Sequence, residues 1–350
     1  MPTIQADRLR TIATRLLEGA GAPASEAATV ARHVINANLV GHDSHGIIQI
    51  PSYINRVEVK HIVPGAPIDI IQESDTTTVI DGNWGFGYVV NEFAMKKTIE
   101  KGRKQNVAAT TVFRQGHVGR AASYPIMAAE EGFIAMMTAD SGRSPKSVAP
   151  FGGREARLGT NPIAIAMPST LPGPVFIDMA TSAAANGKIK LAQARGQSIP
   201  EGWVLTKDGE QTTDPGELSA GGALLPLGGL VGYKGTGLAA MVEIFSGLLT
   251  GLGFGVEPTG RHNDGCFMAV FKVEAFRSLD TFKQEVTDFA HYLTETPRQE
   301  GVDKIYYPGE MEYLTEQKRA VDGINVEDAT WKKLGDLAEK FGMAKELDLG

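Results

Sequence analysis

One cysteine, Cys266, stands in 350 residues, so no internal disulfide can form and a reducing, cytoplasmic setting is expected. Within Cys-Phe-Met-Ala-Val-Phe it reads as a small buried strand residue. Excess basic charge is missing too. Lys and Arg number 34 against 41 Asp and Glu, a net charge of −7, which argues against phosphate neutralisation and hence against a nucleic-acid partner. The opening residues, Met-Pro-Thr-Ile-Gln-Ala-Asp-Arg-Leu-Arg, lack the basic-then-apolar build of a secretory leader. The greasiest stretch, residues 237–256, carries Glu243 and is broken by glycines, so no membrane span is expected. There is no His-Glu-x-x-His pair and no cysteine cluster, and no metal is expected. A Rossmann fingerprint is not supported either. Gly235-Thr-Gly237-Leu-Ala-Ala240 and residues 19–24 fit G-x-G-x-x-A in letters, but neither follows a clear strand.

What is present is the composition of a soluble globular chain, 42% hydrophobic and 21% charged, long enough for two domains. Leu9, Ile12, Ala13, Leu16 and Leu17 repeat at three-four spacing and predict a helix that the Gly/Pro run at 19–23 ends. Ser25 is the expected N-cap of a second helix, with Val30, Val34 and Leu39 on its stripe and Gly41 as its stop. From about Thr76 strands are expected over 78–81, 107–113, 133–138, 162–167, 175–179 and 267–273. Helices are expected between them over 88–103, 121–131, 187–195 and 235–249, then over 281–294 and 326–341, the last capped by Asn325. Several connections are too short for regular crossover helices, which predicts an α/β fold with a mixed, largely antiparallel sheet and flanking helices. Residues 1–75 with 278–350 are expected to form a helical subdomain from both termini, and 76–277 the sheet domain.

The densest chemistry lies where the second helix gives out, at His42-Asp43-Ser44-His45-Gly46. Imidazole exchanges protons near neutral pH, and a neighbouring hydroxyl or carboxylate can set its tautomer. Serine hydrolysis is disfavoured, because a nucleophile elbow needs Gly-x-Ser-x-Gly after a strand. A zinc site on His42 and His45, or a surface histidine with no chemical role, stays open on the residues alone. Gly116-His117-Val118-Gly119-Arg120 forms a glycine-rich turn between a strand and a helix, where backbone can approach a ligand or an anion. Gly159-Thr160-Asn161-Pro162, Asp178-Met179-Ala180-Thr181-Ser182 and Gly187-Lys188 are similar candidates for nucleotide contact, or ordinary turns.

Taken in order, these segments resemble the non-Rossmann malate/L-lactate dehydrogenase family, which includes sulfolactate and ureidoglycolate dehydrogenases and diketogulonate and piperideine-carboxylate reductases. The matching run is Gly41 to Gly46, Pro51-Ser-Tyr53, Asp81-Gly82, Gly85-Phe-Gly87, His117-Val-Gly119, Val148 to Gly153 and Leu158 to Pro162. It continues through Asp178 to Ser182, Gly187-Lys188, Ile199 to Trp203, Thr212 to Pro215, Lys234-Gly235 and Pro308-Gly309-Glu310. The wording is most similar to the branch acting on hydroxycarboxylates with aryl or alkyl side chains. The resemblance implies an NAD- or NADP-dependent oxidoreductase that interconverts 2-oxo and 2-hydroxy acids, active as a homodimer with sites shared between subunits. Cyclic-imine reduction is the alternative within the family, and a hydrolase or binding protein using Ser44-His45 the alternative outside it.

Carried over by position, Ser44 and His45 match the proton relay and proton donor, and His117 matches a rival acid/base. Ser141, Asn161, Asp178, Met179, Ala180, Lys234, Gly309 and Glu310 match cofactor contacts, together with the His117-Val118-Gly119 turn. Thr160 and Arg143 are placed toward substrate. Two positions depart from the pattern. Lys188 stands where some members carry an aspartate, and Gln49 stands where many carry the arginine that clamps the substrate carboxylate. Glutamine brings no charge and no ionic fork, so either another cation replaces it, with Arg120, Arg143 and Lys188 available, or the substrate differs.

Overall fold

The computed structural model describes residues 1–140, 143–256, 261 and 263–349. A short strand, β1 (Thr3–Ile4), leads into helices α1 (Ala6–Gly19) and α2 (Ala24–Leu39). The apolar stripe of α1 is buried throughout, and Gly21, at φ 95°, lets the chain reverse into α2. Helix α3 (Ile50–Glu58) follows the His42 to Gly46 segment. Strands β2 (Asp69–Glu73) and β3 (Thr77–Gly85) open the sheet, and α4 (Gly87–Gln105) carries the chain to β4 (Val107–Gln115). Next come α5 (Ser123–Glu130), β5 (Phe133–Ala139), β6 (Ile163–Met167) and β7 (Val175–Met179). A small lobe comprises α6 (Asn186–Ala194), β8 (Val204–Leu205), β9 (Gln211–Thr212), α7 (Gly216–Ser219) and β10 (Ala223–Leu224). Beyond it lie α8 (Tyr233–Glu243), β11 (Cys266–Lys272) and α9 (Leu279–Thr294). The chain closes with α10 (Glu310–Asp322), β12 (Ile324–Asn325), α11 (Asp328–Lys340) and α12 (Ala344–Leu347).

The main sheet runs β2-β3-β4-β11-β5-β6-β7. Only β3 and β4 are parallel, and they are the pair joined by the long crossover helix α4. Every other pair is antiparallel, so the sheet is mixed and largely antiparallel, as the short connections imply. Strand β11 enters from far along the chain and sets Cys266 between Val112 and Ala139, where it is fully buried. Pairing of Thr3 with Asn325 and Ile4 with Ile324 ties the two ends together. One apolar cluster joins Leu9, Leu16, Val34 and Tyr53 to Ile324, Leu334 and Ala338.

Three local expectations are corrected, and one strand was not expected. Helix α2 starts at Ala24 behind Pro23, whose ring presets φ near −55°, so Ser25 lies inside the first turn. Asn325 caps nothing: its side chain accepts from Thr3 Oγ1 at 2.7 Å within the β1/β12 pair, and α11 begins at Asp328. Past Glu243 the expected helix over 235–249 continues as a π-helical turn, Ile244–Leu248. Strand β2 is an exposed edge without a clean alternation of buried side chains, so its sequence carries little strand signal.

Candidate active site

The His42 to Gly46 segment is shaped by a buried asparagine that sequence reasoning missed. Asn38, on the last turn of α2, accepts from the Ile47 backbone N–H at 2.7 Å and donates to Asp43 Oδ1 at 2.7 Å. A Cβ at Gly46 would stand 2.3 Å from the Asn38 side chain, which is why glycine is required there. Arg319, on α10, grips both oxygens of Asp43 at 2.7 and 3.0 Å. The carboxylate of the motif is therefore a strut for the turn and does not orient His45. The hydroxyl does: Ser44 Oγ lies 3.0 Å from His45 Nδ1. His42 faces Glu312 at 3.4 Å, so it belongs to the contact with α10.

His117 meets His45 face to face, with ring centroids 5.6 Å apart and planes 17° from parallel. Its Nδ1 lies 2.7 Å from the hydroxyl of Tyr53, which in turn lies 3.0 Å from the hydroxyl of Tyr88. Both phenols are buried, and burial raises their pKa, so they act as neutral hydrogen-bonding groups. Burial lowers the pKa of His45. The turn after His117 is tied at three points. Val118 N–H donates to Asp264 at 3.0 Å, Tyr124 donates to the Val118 carbonyl at 2.7 Å, and Ala122 N–H donates to Asp178 at 2.8 Å. Gly119 holds φ 72°, and a Cβ there would lie 2.1 Å from the Tyr88 ring. Gly119→Ala should cost about 1–3 kcal/mol through overpacking and lower turnover by displacing His117. Denaturant unfolding and steady-state kinetics check this, and an unchanged protein by both measures removes the anchoring role.

The model of the malate/L-lactate dehydrogenase family matches residues 4–335. The chain belongs to that family. It is 37% identical over 349 residues to a malate dehydrogenase of Pyrococcus abyssi, covering 97% of this chain and 95% of the relative. It is 34% identical over 343 residues to an L-lactate dehydrogenase of Cupriavidus necator, covering 96% and 97%. Among solved structures, the malate dehydrogenase of Entamoeba histolytica superposes with a TM-score of 0.93 at 34% identity, covering 97% of this chain and 98% of that one. The protein is thus an oxidoreductase acting on CH–OH groups.

Against this family frame, the remaining site residues divide by what their side chains touch. Gln49 donates to the Ser44 carbonyl at 2.6 Å, so its amide is engaged in holding the turn. Asp178, half-buried at the end of β7, holds the start of α5 through Ala122. The Thr160 carbonyl accepts from Thr181, which ties the entry of β6 to the exit of β7. Asn161 is buried and turns its amide to α8, donating to Ala239 O at 3.0 Å and Glu243 at 2.8 Å. Met179 and Ala180 are half-buried just past Asp178. Lys188 is exposed on the first turn of α6, and Lys234 is exposed beside the Tyr233 ring. Arg143 has a left-handed backbone and donates to Val256 O at 3.4 Å. Gly309 caps α10 at φ 95°, while Glu310 accepts from Lys304 at 2.6 Å and from the Tyr307 N–H at 3.3 Å. Ser141 lies outside the described residues. Tyr88, Asp264 and Arg319 were missed because each reaches the site only by folding.

Proposed function

We propose that the chain interconverts 2-oxo and 2-hydroxy acids with NAD or NADP, and that His45 moves the proton. The observation that carries this reading is the stacked His45–His117 pair, with Ser44 on one nitrogen of His45. With Nδ1–H donating to Ser44, Nε2 of His45 is the atom that gives a proton to the substrate oxygen in reduction and takes it back in oxidation. His117, braced by Tyr53, is the rival donor.

The stretch from Asp178 to Gly187 fits a dinucleotide. A Cβ on Gly187 would meet nothing within 4 Å, and the buried side-chain oxygen of Asn186 has no hydrogen-bond partner among the described residues. Met179, Ala180 and the His117-Val118-Gly119 turn would hold the cofactor, joined by Asp178, Asn161, Lys234, Gly309 and Glu310. Thr160 and Lys188 would lie toward the substrate. When bound, the dinucleotide supplies the hydride. The protein's share is orientation, a site closed to water, and the proton at His45 Nε2.

The same reading takes the protein as a cytoplasmic homodimer, divided into 1–75 with 278–350 and 76–277. Met241, Ile244 and Leu248 support the dimer, as they repeat at helical spacing and are exposed. Fluorescence titration with NADH and NADPH, followed by turnover on a panel of 2-oxo acids, tests the function. Binding of neither nucleotide would end it, and turnover of cyclic imines alone would redirect it. A pH profile tests the histidine. Because burial holds His45 below the ordinary 6.5, reductive kcat/KM should fall as pH rises through that lowered value, and the oxidative one should rise. Reduction that is flat between about pH 5 and 8 would remove His45 from the mechanism.

A further inference from the structure

Arg120 is a buried cation flanked by carboxylates that act on it through space. It is only 7% exposed, and its Nε and Nη2 atoms are buried without a hydrogen-bond partner among the described residues. Its guanidinium lies 4.8 Å from the centre of the Phe176 ring, over the β7 strand that also carries Asp178. Asp178 on β7 and Glu312 and Glu316 on α10 act on it through space, yet none hydrogen-bonds it. Burying an unpaired cation costs several kcal/mol even after relaxation, so such a group is expected to find its partner in the working state. Cation–π contact with Phe176 offsets a small part of that cost.

The two orphaned atoms are informative together. Nε–H and Nη2–H form one edge of the guanidinium, and that edge is the fork that receives both oxygens of a carboxylate. Arg120 follows the His117-Val118-Gly119 turn directly, and the chain around it is pinned by Val118 to Asp264 and Ala122 to Asp178. The edge is therefore held by the same anchors that place His117. The other residues that would bind a carboxylate are engaged or elsewhere. Gln49 spends its amide on Ser44 O, Arg143 is turned to Val256 O, and Lys188 is exposed on α6.

We propose that Arg120 grips the substrate carboxylate in the role that the Gln49 position cannot fill, and so presents the neighbouring 2-oxo group to the histidines. This rests on the 2-oxo acid reading above and adds the residue that makes the site select acids. The experiment compares wild type, Arg120→Lys and Arg120→Gln on 2-oxo acids and on their methyl esters, alongside calorimetric binding of oxamate to the NADH- or NADPH-loaded protein. Arg120→Gln should lower kcat/KM for the acid by about 10²-fold or more, leave the ester unaffected, and abolish oxamate binding. Arg120→Lys should recover little, because a point charge lacks the fork. Cofactor affinity should not move, and the unfolding midpoint should stay or rise, since an unpaired buried charge is removed. An unchanged acid-to-ester preference with wild-type turnover intact overturns the proposal while the dehydrogenase reading stands. Loss of nucleotide binding in place of acid selectivity overturns it as well, assigning Arg120 to the cofactor. If wild type turns over no 2-oxo acid but binds oxamate only with Arg120 present, the carboxylate grip stands and the reaction assigned above fails.

Discussion

His45→Ala is expected to lower turnover by about 10²–10⁴-fold, the usual worth of a positioned general acid. Nucleotide affinity should be nearly unchanged, because the replaced group acts on the substrate oxygen. The effect belongs to kcat, since the proton is needed as charge develops on that oxygen. Ser44→Ala should be milder, near tenfold at most, as one neutral hydrogen bond contributes about 0.5–1.5 kcal/mol. His117→Ala separates the two imidazoles. If His117→Ala costs the full factor and His45→Ala costs little, the roles are reversed and Tyr53 becomes the residue that sets the donor's tautomer.

The largest expected loss of stability is at Lys146. Its side chain is 4% exposed, and its ammonium sits 3.2 Å from Glu243 and 3.5 Å from Asp140, whose side chains are themselves 9% and 0% exposed. Asn161 donates to the same Glu243. Lys146→Met leaves two buried carboxylates facing each other and should destabilise the protein by about 3–5 kcal/mol. Burial pushes the Asp140 carboxyl above its ordinary range against the pull of Lys146, so removing the lysine should push it further. A carboxyl raised in the folded state contributes stability below its unfolded pKa and loses it as pH rises through the folded one. The deficit of Lys146→Met should therefore shrink on mild acidification and grow above neutrality. Denaturant unfolding at both pH values measures this. A deficit independent of pH would mean that the carboxylates are not carrying the loss.

Ser44, His45 and His117 stood out because reactive side chains were packed beside glycines at element ends, and the fold brings the two imidazoles together. Asp43 was legible as part of the motif but not as a strut, because the arginine that claims it lies 276 residues on. Gly46 was legible only as part of the motif, and Gly119 as a turn glycine that lets backbone approach a ligand. They are better explained by close approach, one to Asn38 and the other to Tyr88. Gln49 was recognised as a departure, and its new partner, the Ser44 carbonyl, became visible only in the fold.

By itself the amino-acid order determined the strands and helices with strong period, the mixed sheet, the lack of disulfides and the residue types offered for chemistry. Those properties depend on neighbours within a turn or two of helix, or on counts of side chains. Only the tertiary structure decided that β11 divides β4 from β5, that Arg319 braces Asp43, and that Nε and Nη2 of Arg120 are buried without a hydrogen-bond partner among the described residues. Whether a charge is paired depends on which distant segments the sheet order brings beside it, and local periodicity carries no information about that.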